Sequence, residues 1–172
     1  MKIKKLKPQA MKILKMFHIF LGFCWIIGGI VLFLGVFLTF PESGDELYMR
    51  SRMLQLIDDC LIIPGAIGVA ITGLIYSVWT NWGFFKHTWI IVKWIMTILQ
   101  IILGTLLGPY INDNVVIAGQ LRDAAINDPV FLNNLHTTQI WGTIQTSLLF
   151  LYIIISIQKP WKKKIRHIKG EE

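Results

Sequence analysis

Four stretches of the chain are almost entirely apolar, and each is long enough to cross a lipid bilayer as a helix. They cover about residues 16–40, 60–79, 88–110 and 137–157. The hydrocarbon layer is about 30 Å thick and takes about 20 helical residues to cross. Only helices and closed barrels satisfy every backbone hydrogen bond in lipid. The pattern therefore predicts an all-α integral membrane protein, an antiparallel four-helix bundle that forms a single domain over residues 1–172.

The composition fits a membrane protein and no soluble class. Hydrophobic residues make up 54% of the 172 residues and charged residues only 16%, against about 25% charged in a typical soluble domain. The mean hydropathy of +0.58 points the same way. Disorder, a disulfide scaffold and a cytosolic enzyme are excluded on these grounds. Cys24 and Cys60 lie in or beside apolar runs, and we interpret them as small buried hydrophobic residues.

The charged residues predict which ends of the helices face the cytoplasm. Most of the cations behind the net charge of +7 lie in two basic tails, residues 1–15 and 158–172, and Lys86 adds one in a short connection. The other two connections carry most of the acidic residues. By the positive-inside rule, we expect a cell-membrane protein with both termini in the cytoplasm. Its expected partner is the lipid bilayer and not nucleic acid.

Both outer connections carry signals of ordered helix. Ser43 followed by Glu46 is a capping box, so we expect the second helix to begin near Gly44, continue into the bilayer and be the longest. In the second connection, Ile117 and Leu121 recur at helical spacing. This spacing predicts a short interfacial helix between the third and fourth spans. A mobile loop is the alternative.

His18 lies just inside the first span and shares a helical face with Gly22, Trp25 and Gly29. Glycines allow a second helix to approach closely, but they also leave room for a flat ring. A histidine at the head of such a groove is a common axial ligand of haem iron. Haem ligation and ordinary helix packing both remain open for this face.

Lys93 belongs to a polar stripe of the third span. The stripe comprises Trp89, Lys93, Thr97, Gln100 and Gly104. We expect it to face the interior of the bundle, because polar groups avoid lipid. A charge inside a bilayer is costly and marks a functional site by default, so Lys93 is interpreted as a cation that holds a carboxylate or acts as a tuned base. The alternative is an ammonium group that extends to the membrane surface.

His136 opens the fourth span after Asn133 and Asn134, which are predicted to cap that helix. Thr143 and Ser147 follow on the same face and form a second polar stripe that we expect to face inward. Three roles remain open for His136: a single metal ligand, a proton-handling group, and a structural residue.

The second span carries two weaker signals. Pro64 and Gly65 begin a small-residue face typical of a kinked, closely packed helix. Asp58 and Asp59 at its outer end are a weak cation-binding signal and are expected to lie in water at the membrane boundary.

These segments together resemble the four-helix membrane superfamily of CopD-like proteins. That superfamily includes the copper-resistance protein CopD, the HemJ-type protoporphyrinogen oxidases and a predicted integral membrane family of unknown function. The resemblance covers nearly the whole chain and implies an antiparallel four-helix bundle. It rests on His18 with Trp-Ile-Ile-Gly-Gly at 25–29, Arg-Met-Leu at 52–54, Pro-Gly at 64–65 with Thr-Gly-Leu at 72–74, Trp-Ile-Ile-Val-Lys at 89–93, and Lys-Pro-Trp at 159–161.

The HemJ-type members imply roles for two residues, because their haem-linked essential pair, a first-helix histidine and a third-helix lysine, falls on His18 and Lys93. The chain departs from that pattern in two places. Those proteins carry an arginine and a histidine just after the first glycine-rich stretch, whereas residues 30–40 of this chain are apolar except for Thr39. They also carry an Asn-Glu pair ahead of the last helix, whereas this chain has Asn-Asn-Leu-His at 133–136. These departures argue against porphyrinogen oxidation. Copper handling is disfavoured as well, because no histidine cluster accompanies the methionines.

Two functions follow from the sequence. In the first, the protein binds haem b in the cytoplasmic half of the bundle and serves in electron transfer, haem sensing or porphyrin chemistry. His18 then ligates the iron and Lys93 pairs with a propionate or acts as the second ligand. The surrounding residues of this site are Gly22, Trp25, Gly29, Trp89, Trp94 and Thr97. In the second, the protein is a non-haem accessory or transport-related membrane protein. Enzymatic activity stays open, as do a homodimer and a membrane electron-transfer partner.

Overall fold

The computed structural model describes residues 5–81 and 83–158. The prediction of an all-α protein is confirmed for these residues. In chain order they form α1 (Pro8–Leu38), α2 (Gly44–Ile57), a π-helical turn (Asp58–Ile62), α3 (Ile63–Trp79), α4 (Thr88–Leu121), a 3₁₀ turn (Arg122–Asn127) and α5 (Pro129–Gln158).

Four helical segments of this described part are long and apolar enough to cross a membrane: α1, α2 with α3, α4 with its 3₁₀ turn, and α5. The segments run alternately up and down. We call the end with the start of α1, the connection 80–87 and the end of α5 the termini end. The opposite end, with residues 39–43 and 122–128, is the loop end. Large apolar side chains such as Phe17, Phe20 and Phe23 are exposed along the helices, as expected for a multi-pass membrane protein.

The segment formed by α2 and α3 is continuous over 36 residues. As predicted, it begins at Gly44, and the Ser43 hydroxyl accepts a hydrogen bond from the Glu46 amide at 3.3 Å. The π turn directly precedes α3, whose second residue is Pro64 and has no amide proton to donate to the preceding turn. The prediction that this segment would be the longest is wrong, because α4 with its 3₁₀ turn reaches 40 residues.

α4 continues without interruption through Pro109. A proline usually marks the end of a helix in sequence-based prediction, but neighbouring helices stabilise proline-containing membrane helices. Here α2 and α5 pack along α4, and the Asn114 side-chain amide donates to the Phe131 carbonyl at 3.3 Å. The residues predicted as a separate interfacial helix therefore form the last turns of α4 and the 3₁₀ turn.

α5 begins seven residues before the predicted fourth helix, which was placed at His136. The Asp128 carboxylate accepts a hydrogen bond from the Phe131 amide at 2.9 Å, which caps the helix. Asn133 and Asn134, which were predicted as caps, instead lie within its second turn.

A compact hydrophobic cluster closes the loop end. Its buried members are Leu47, Ala118, Ala125 and Phe131. The Gly44 amide donates to the Asp123 carboxylate at 2.5 Å. A Cβ atom on Gly44 would lie 2.2 Å from the backbone of Arg122, so a larger residue does not fit without movement of that turn.

Small residues bring α1 and α3 into close contact. A Cβ atom on Gly65 would lie 2.8 Å from the Trp25 amide nitrogen, and one on Gly68 would lie 2.6 Å from the Leu21 side chain. The predicted close packing of the small-residue face on the second span is therefore confirmed.

The polar stripe of α4 faces inward, as predicted. Thr97 is 4% exposed and Gln100 2% exposed, whereas Ile95 is 60% exposed. The inward-facing prediction for α5 is wrong, because His136, Thr143 and Ser147 are exposed.

The polar face that α5 does bury carries Asn134 and Thr138. The Thr143 and Ser147 hydroxyls donate to the carbonyls of Gln139 and Thr143, one turn earlier. Because these hydroxyls donate their hydrogen bonds within α5, they can face outward without an unpaired donor.

Part of the basic N-terminal tail is helical, since α1 begins at Pro8 and includes Lys12 and Lys15. The C-terminal basic tail, with the Lys-Pro-Trp motif at 159–161, lies outside the described residues apart from Gln158.

Candidate functional site

A large cleft lies between α1, α3, α4 and α5 at the termini end. Its volume is about 650 Å³, within the ~300–1,000 Å³ typical of small-molecule sites. The cleft exists because α3 and α4 hardly touch, although α1 packs on α3 and α4 packs on α5. The space left between the two helix pairs is large enough for a ligand.

His18 lines this cleft, and its ring is oriented by α3. Its Nδ1 atom lies 2.7 Å from the Thr72 Oγ1 atom. Thr72 has a single hydroxyl proton, and its Oγ1 atom lies 2.6 Å from the Gly68 carbonyl oxygen, to which it donates. The hydroxyl therefore accepts a hydrogen bond from the Nδ1–H group of His18. The neutral ring then carries its lone pair on Nε2, the other nitrogen.

Lys93 lines the same cleft from α4. Its ammonium group donates to the Ser156 hydroxyl of α5 at 2.8 Å. It also lies 5.0 Å from the centre of the Tyr152 ring and 5.8 Å from that of Trp89, both within the range of cation–π attraction. The structure therefore places His18 and Lys93, the two residues that the sequence had paired, on the walls of one cavity.

Aromatic side chains with satisfied polar atoms form much of the remaining wall. The Tyr76 hydroxyl donates to the Met11 carbonyl at 3.1 Å, and the Trp94 indole N–H donates to the Ser77 hydroxyl at 3.3 Å. The Tyr76 ring meets the His18 ring edge to face, with 5.9 Å between their centres. These hydrogen bonds hold the rings in fixed positions, so the cleft has a rigid apolar lining.

The cleft is positively charged. Lys12 and Lys15 of α1 line it together with Lys93, and none of the described lining residues is an aspartate or glutamate. Lys12 and Lys15 are exposed, so they mark the water-facing mouth. A ligand that matches this lining has an apolar body and at least one anionic group.

Four of the seven predicted cofactor-binding residues meet at this cleft, namely His18, Trp89, Lys93 and Thr97. The other three lie elsewhere on α1. Trp25 is 3% exposed and packs in the α1–α3 core. Its ring lies 6.3 Å, between centres, from the Tyr152 ring that lines the cleft. Gly22 faces Val69, and Gly29 faces Leu149, so neighbouring side chains occupy the glycine groove.

His136 does not join the cleft, because it is exposed near the loop end of α5. The described residues also contain no group of three or more His, Cys, Asp or Glu side chains arranged to hold a metal ion.

Sequence reasoning missed four residues of the site. Tyr76, Tyr152 and Ser156 line the cleft, and Thr72 forms the hydrogen bond to His18. Thr72 and Tyr76 are four residues apart on α3, and Tyr152 and Ser156 are four apart on α5, so each pair shares a helical face. That spacing was a usable signal, but it does not show which face meets His18.

Comparison with protein-family models, with curated proteins and with solved structures found no match for this chain.

Proposed function

We propose that this membrane protein binds haem b in the cleft, where His18 would hold the iron. The observation that carries the proposal is the hydrogen bond between His18 and Thr72. Histidines that bind metal usually donate their second ring N–H group to a neighbouring acceptor, which fixes the tautomer and the ring orientation. The Thr72 hydroxyl supplies that acceptor and leaves Nε2 for the metal.

The shape and charge of the cleft support the same ligand. Its volume and aromatic walls suit a flat apolar ring. Haem b has two carboxylates, and Lys12, Lys15 and Lys93 are the cations available to hold them. An ammonium group has three protons to donate. Lys93 can therefore bind a carboxylate while it retains its hydrogen bond to the Ser156 hydroxyl.

Each residue of the site has a defined task in this proposal. Thr72 orients His18, and Lys93 holds a propionate close to Tyr152. Trp89, Trp94 and Tyr76 exclude water from the ring. When bound, haem supplies a redox-active iron, and electron transfer, haem sensing and porphyrin chemistry are the roles that follow. A second copy or a membrane redox protein is the corresponding partner.

The proposal places the protein in the cell membrane with its termini, and hence the mouth of the cleft, in the cytoplasm. The basic residues that surround the termini end support this orientation. Membership of the CopD-like superfamily is part of the same proposal, and the shared position of His18 and Lys93 supports it.

One observation favours a second candidate, a non-haem accessory or transport-related protein. The ammonium group of Lys93 already has the Ser156 hydroxyl and the Tyr152 ring as neighbours. These contacts stabilise the cation without a propionate, and the basic mouth also suits the phosphate of a lipid headgroup.

The absorption spectrum of purified protein decides between the two functions. Protein from haem-supplemented cells is expected to show a Soret band whose position differs between the oxidised and reduced forms. His18→Ala is expected to abolish or strongly shift that band, because an iron bond is lost.

His136→Ala is the matched control, since His136 is exposed and outside the cleft. It is expected to leave the band unchanged. A colourless wild-type protein, or an equal loss of the band in both variants, contradicts the haem proposal.

A further inference from the structure

Gly73 lies in the interior of α3 and lines the large cleft. Glycine inside a helix destabilises the fold relative to alanine, because glycine loses more conformational freedom on folding than any other residue. A glycine in the wall of a ligand-sized space is therefore of interest when helix packing does not require it.

Helix packing does not require a glycine at position 73. A Cβ atom on Gly65 would lie 2.8 Å from the Trp25 amide nitrogen, so alanine does not fit there without a backbone shift. For Gly73 the two nearest atoms would be 3.8 Å and 4.0 Å away, which is ordinary van der Waals contact. The space beside Gly73 therefore admits an alanine methyl group.

The two atoms nearest to that position belong to the walls of the cleft. They are the Cζ2 atom of Trp94, at 3.8 Å, and the Cε1 atom of His18, at 4.0 Å. Cε1 is bonded to Nε2, the ring nitrogen that the hydrogen bond to Thr72 leaves available. Gly73 therefore borders the edge of the imidazole ring that carries the proposed ligand nitrogen.

The side chain of Trp94 is held in place on its side of this space. Its indole N–H donates to the Ser77 hydroxyl at 3.3 Å, and its ring lies 5.6 Å, between centres, from the Phe84 ring. Because Trp94 is fixed by these contacts, a side chain longer than alanine at position 73 would fill the space beside the His18 ring.

We propose that Gly73 determines the size of the ligand that reaches Nε2 of His18. The absence of a side chain keeps the space between His18 and Trp94 open to a bulky flat ring, and a longer side chain excludes that ring. Gly73 is thus a specificity-determining residue that does not itself bind the ligand. This inference rests on the proposed function, in which His18 holds the iron of haem.

Chemical modification of His18 tests the inference without haem. Diethyl pyrocarbonate transfers an ethoxycarbonyl group to the lone pair of a neutral imidazole, which in His18 lies on Nε2. Mass spectrometry of the purified full-length protein gives the rate for each histidine separately. Gly73→Leu is expected to slow the modification of His18 at least about tenfold. Gly73→Ala is expected to stay close to the wild-type rate, because its methyl group makes only ordinary contacts.

Two controls accompany this measurement. The rate at the exposed His136 should be the same in every variant. Gly142→Leu makes the matched change on α5, outside the large cleft, where a Cβ atom would meet no packed neighbour within 4 Å. It should leave the rate at His18 unchanged. Equal slowing of His18 by both leucine variants, or no slowing by Gly73→Leu, overturns the inference.

A side chain enlarged after folding covers the case that Gly73→Leu does not fold. Gly73→Cys, in a background without Cys24 and Cys60, introduces a small side chain that reacts with a benzyl methanethiosulfonate reagent. The attached benzylthio group should slow the modification of His18, and its removal with a reducing agent should restore the rate. A cysteine that does not react, or that reacts without an effect on His18, contradicts the inference.

Haem titration separates failure of this inference from failure of the proposed function. In a wild-type protein with a Soret band, Gly73→Leu should weaken haem binding at least about tenfold, and Gly73→Ala should retain it. Equal haem affinity in Gly73→Leu and wild type overturns the role of Gly73 and leaves the haem proposal standing. A colourless wild type contradicts the haem proposal, while the modification rates still show whether Gly73 controls access to Nε2.

Discussion

Gln100 of α4 and Gln145 of α5 donate hydrogen bonds to each other's backbone. The Gln100 side-chain amide lies 2.9 Å from the Gln145 carbonyl oxygen, and the Gln145 amide lies 3.2 Å from the Gln100 carbonyl oxygen. Gln100 is 2% exposed. This reciprocal pair joins the two helices on the loop-end side of the large cleft, where Gln145 also lines a small cavity beside Asp58.

The pair is expected to stabilise the fold. Gln100→Leu removes one hydrogen bond to a carbonyl that also belongs to the backbone ladder of α5, which should cost about 0.5–1.5 kcal/mol of unfolding free energy. Denaturation of the detergent-solubilised protein measures this. The double variant Gln100→Leu, Gln145→Leu should cost less than the sum of the single changes, because the two side chains act together.

Gln139→Leu is the matched control for this prediction, since Gln139 lies on α5 outside the pair. If Gln139→Leu lowered the free energy of unfolding as much as Gln100→Leu does, the reciprocal pair would have no special role in the stability of the bundle.

Thr72→Val should weaken haem binding if Thr72 orients His18. The change keeps the shape of the side chain but removes the acceptor for the Nδ1–H group. Loss of such a partner typically lowers metal affinity about 10–100-fold. Spectroscopic titration of the apoprotein with haem measures the affinity.

Thr143→Val serves as the control for Thr72→Val, because the Thr143 hydroxyl is exposed and bonds only within its own helix. Unchanged affinity in Thr72→Val would show that His18 needs no support from α3.

Lys93→Met should accelerate haem loss. Methionine keeps the length and apolar stem of lysine but deletes the charge that is proposed to hold a propionate. A charge-assisted hydrogen bond contributes about 1.5–3 kcal/mol, so transfer of haem to excess apomyoglobin should become at least about tenfold faster.

Lys86→Met is the comparison for Lys93→Met, since Lys86 is exposed in the connection at the termini end. Equal transfer rates in wild type and Lys93→Met would assign Lys93 a purely structural contact with Ser156 and Tyr152.

The orientation in the membrane is testable with single cysteines. Asp45→Cys and Asp123→Cys, placed in a background without Cys24 and Cys60, should react with a membrane-impermeant thiol reagent in intact cells, because both positions lie at the loop end. A cysteine at position 86 should react only after permeabilisation. The reverse labelling pattern would place the termini outside.

The sequence determined the four apolar segments and the inward face of α4. Both are set by the order of apolar and polar residues within a stretch of about 20 residues, which can be read from the sequence alone. The capping box at Ser43 was readable for the same reason, since a cap involves residues three positions apart.

Only the tertiary structure decided where α4 ends and which face of α5 is buried. Pro109 ends an isolated helix, but contacts with α2 and α5 carry α4 past it to Leu121. The α5 stripe of His136, Thr143 and Ser147 has helical spacing, as the buried stripe of α4 has, yet it is exposed. The hydroxyls of Thr143 and Ser147 bond within their own helix, but so does the buried Thr97 hydroxyl of α4, so the packing of neighbouring helices decides which face is covered. The hydrogen bond between His18 and Thr72 joins residues 54 positions apart, and no local pattern in a sequence encodes which distant side chain a histidine will meet.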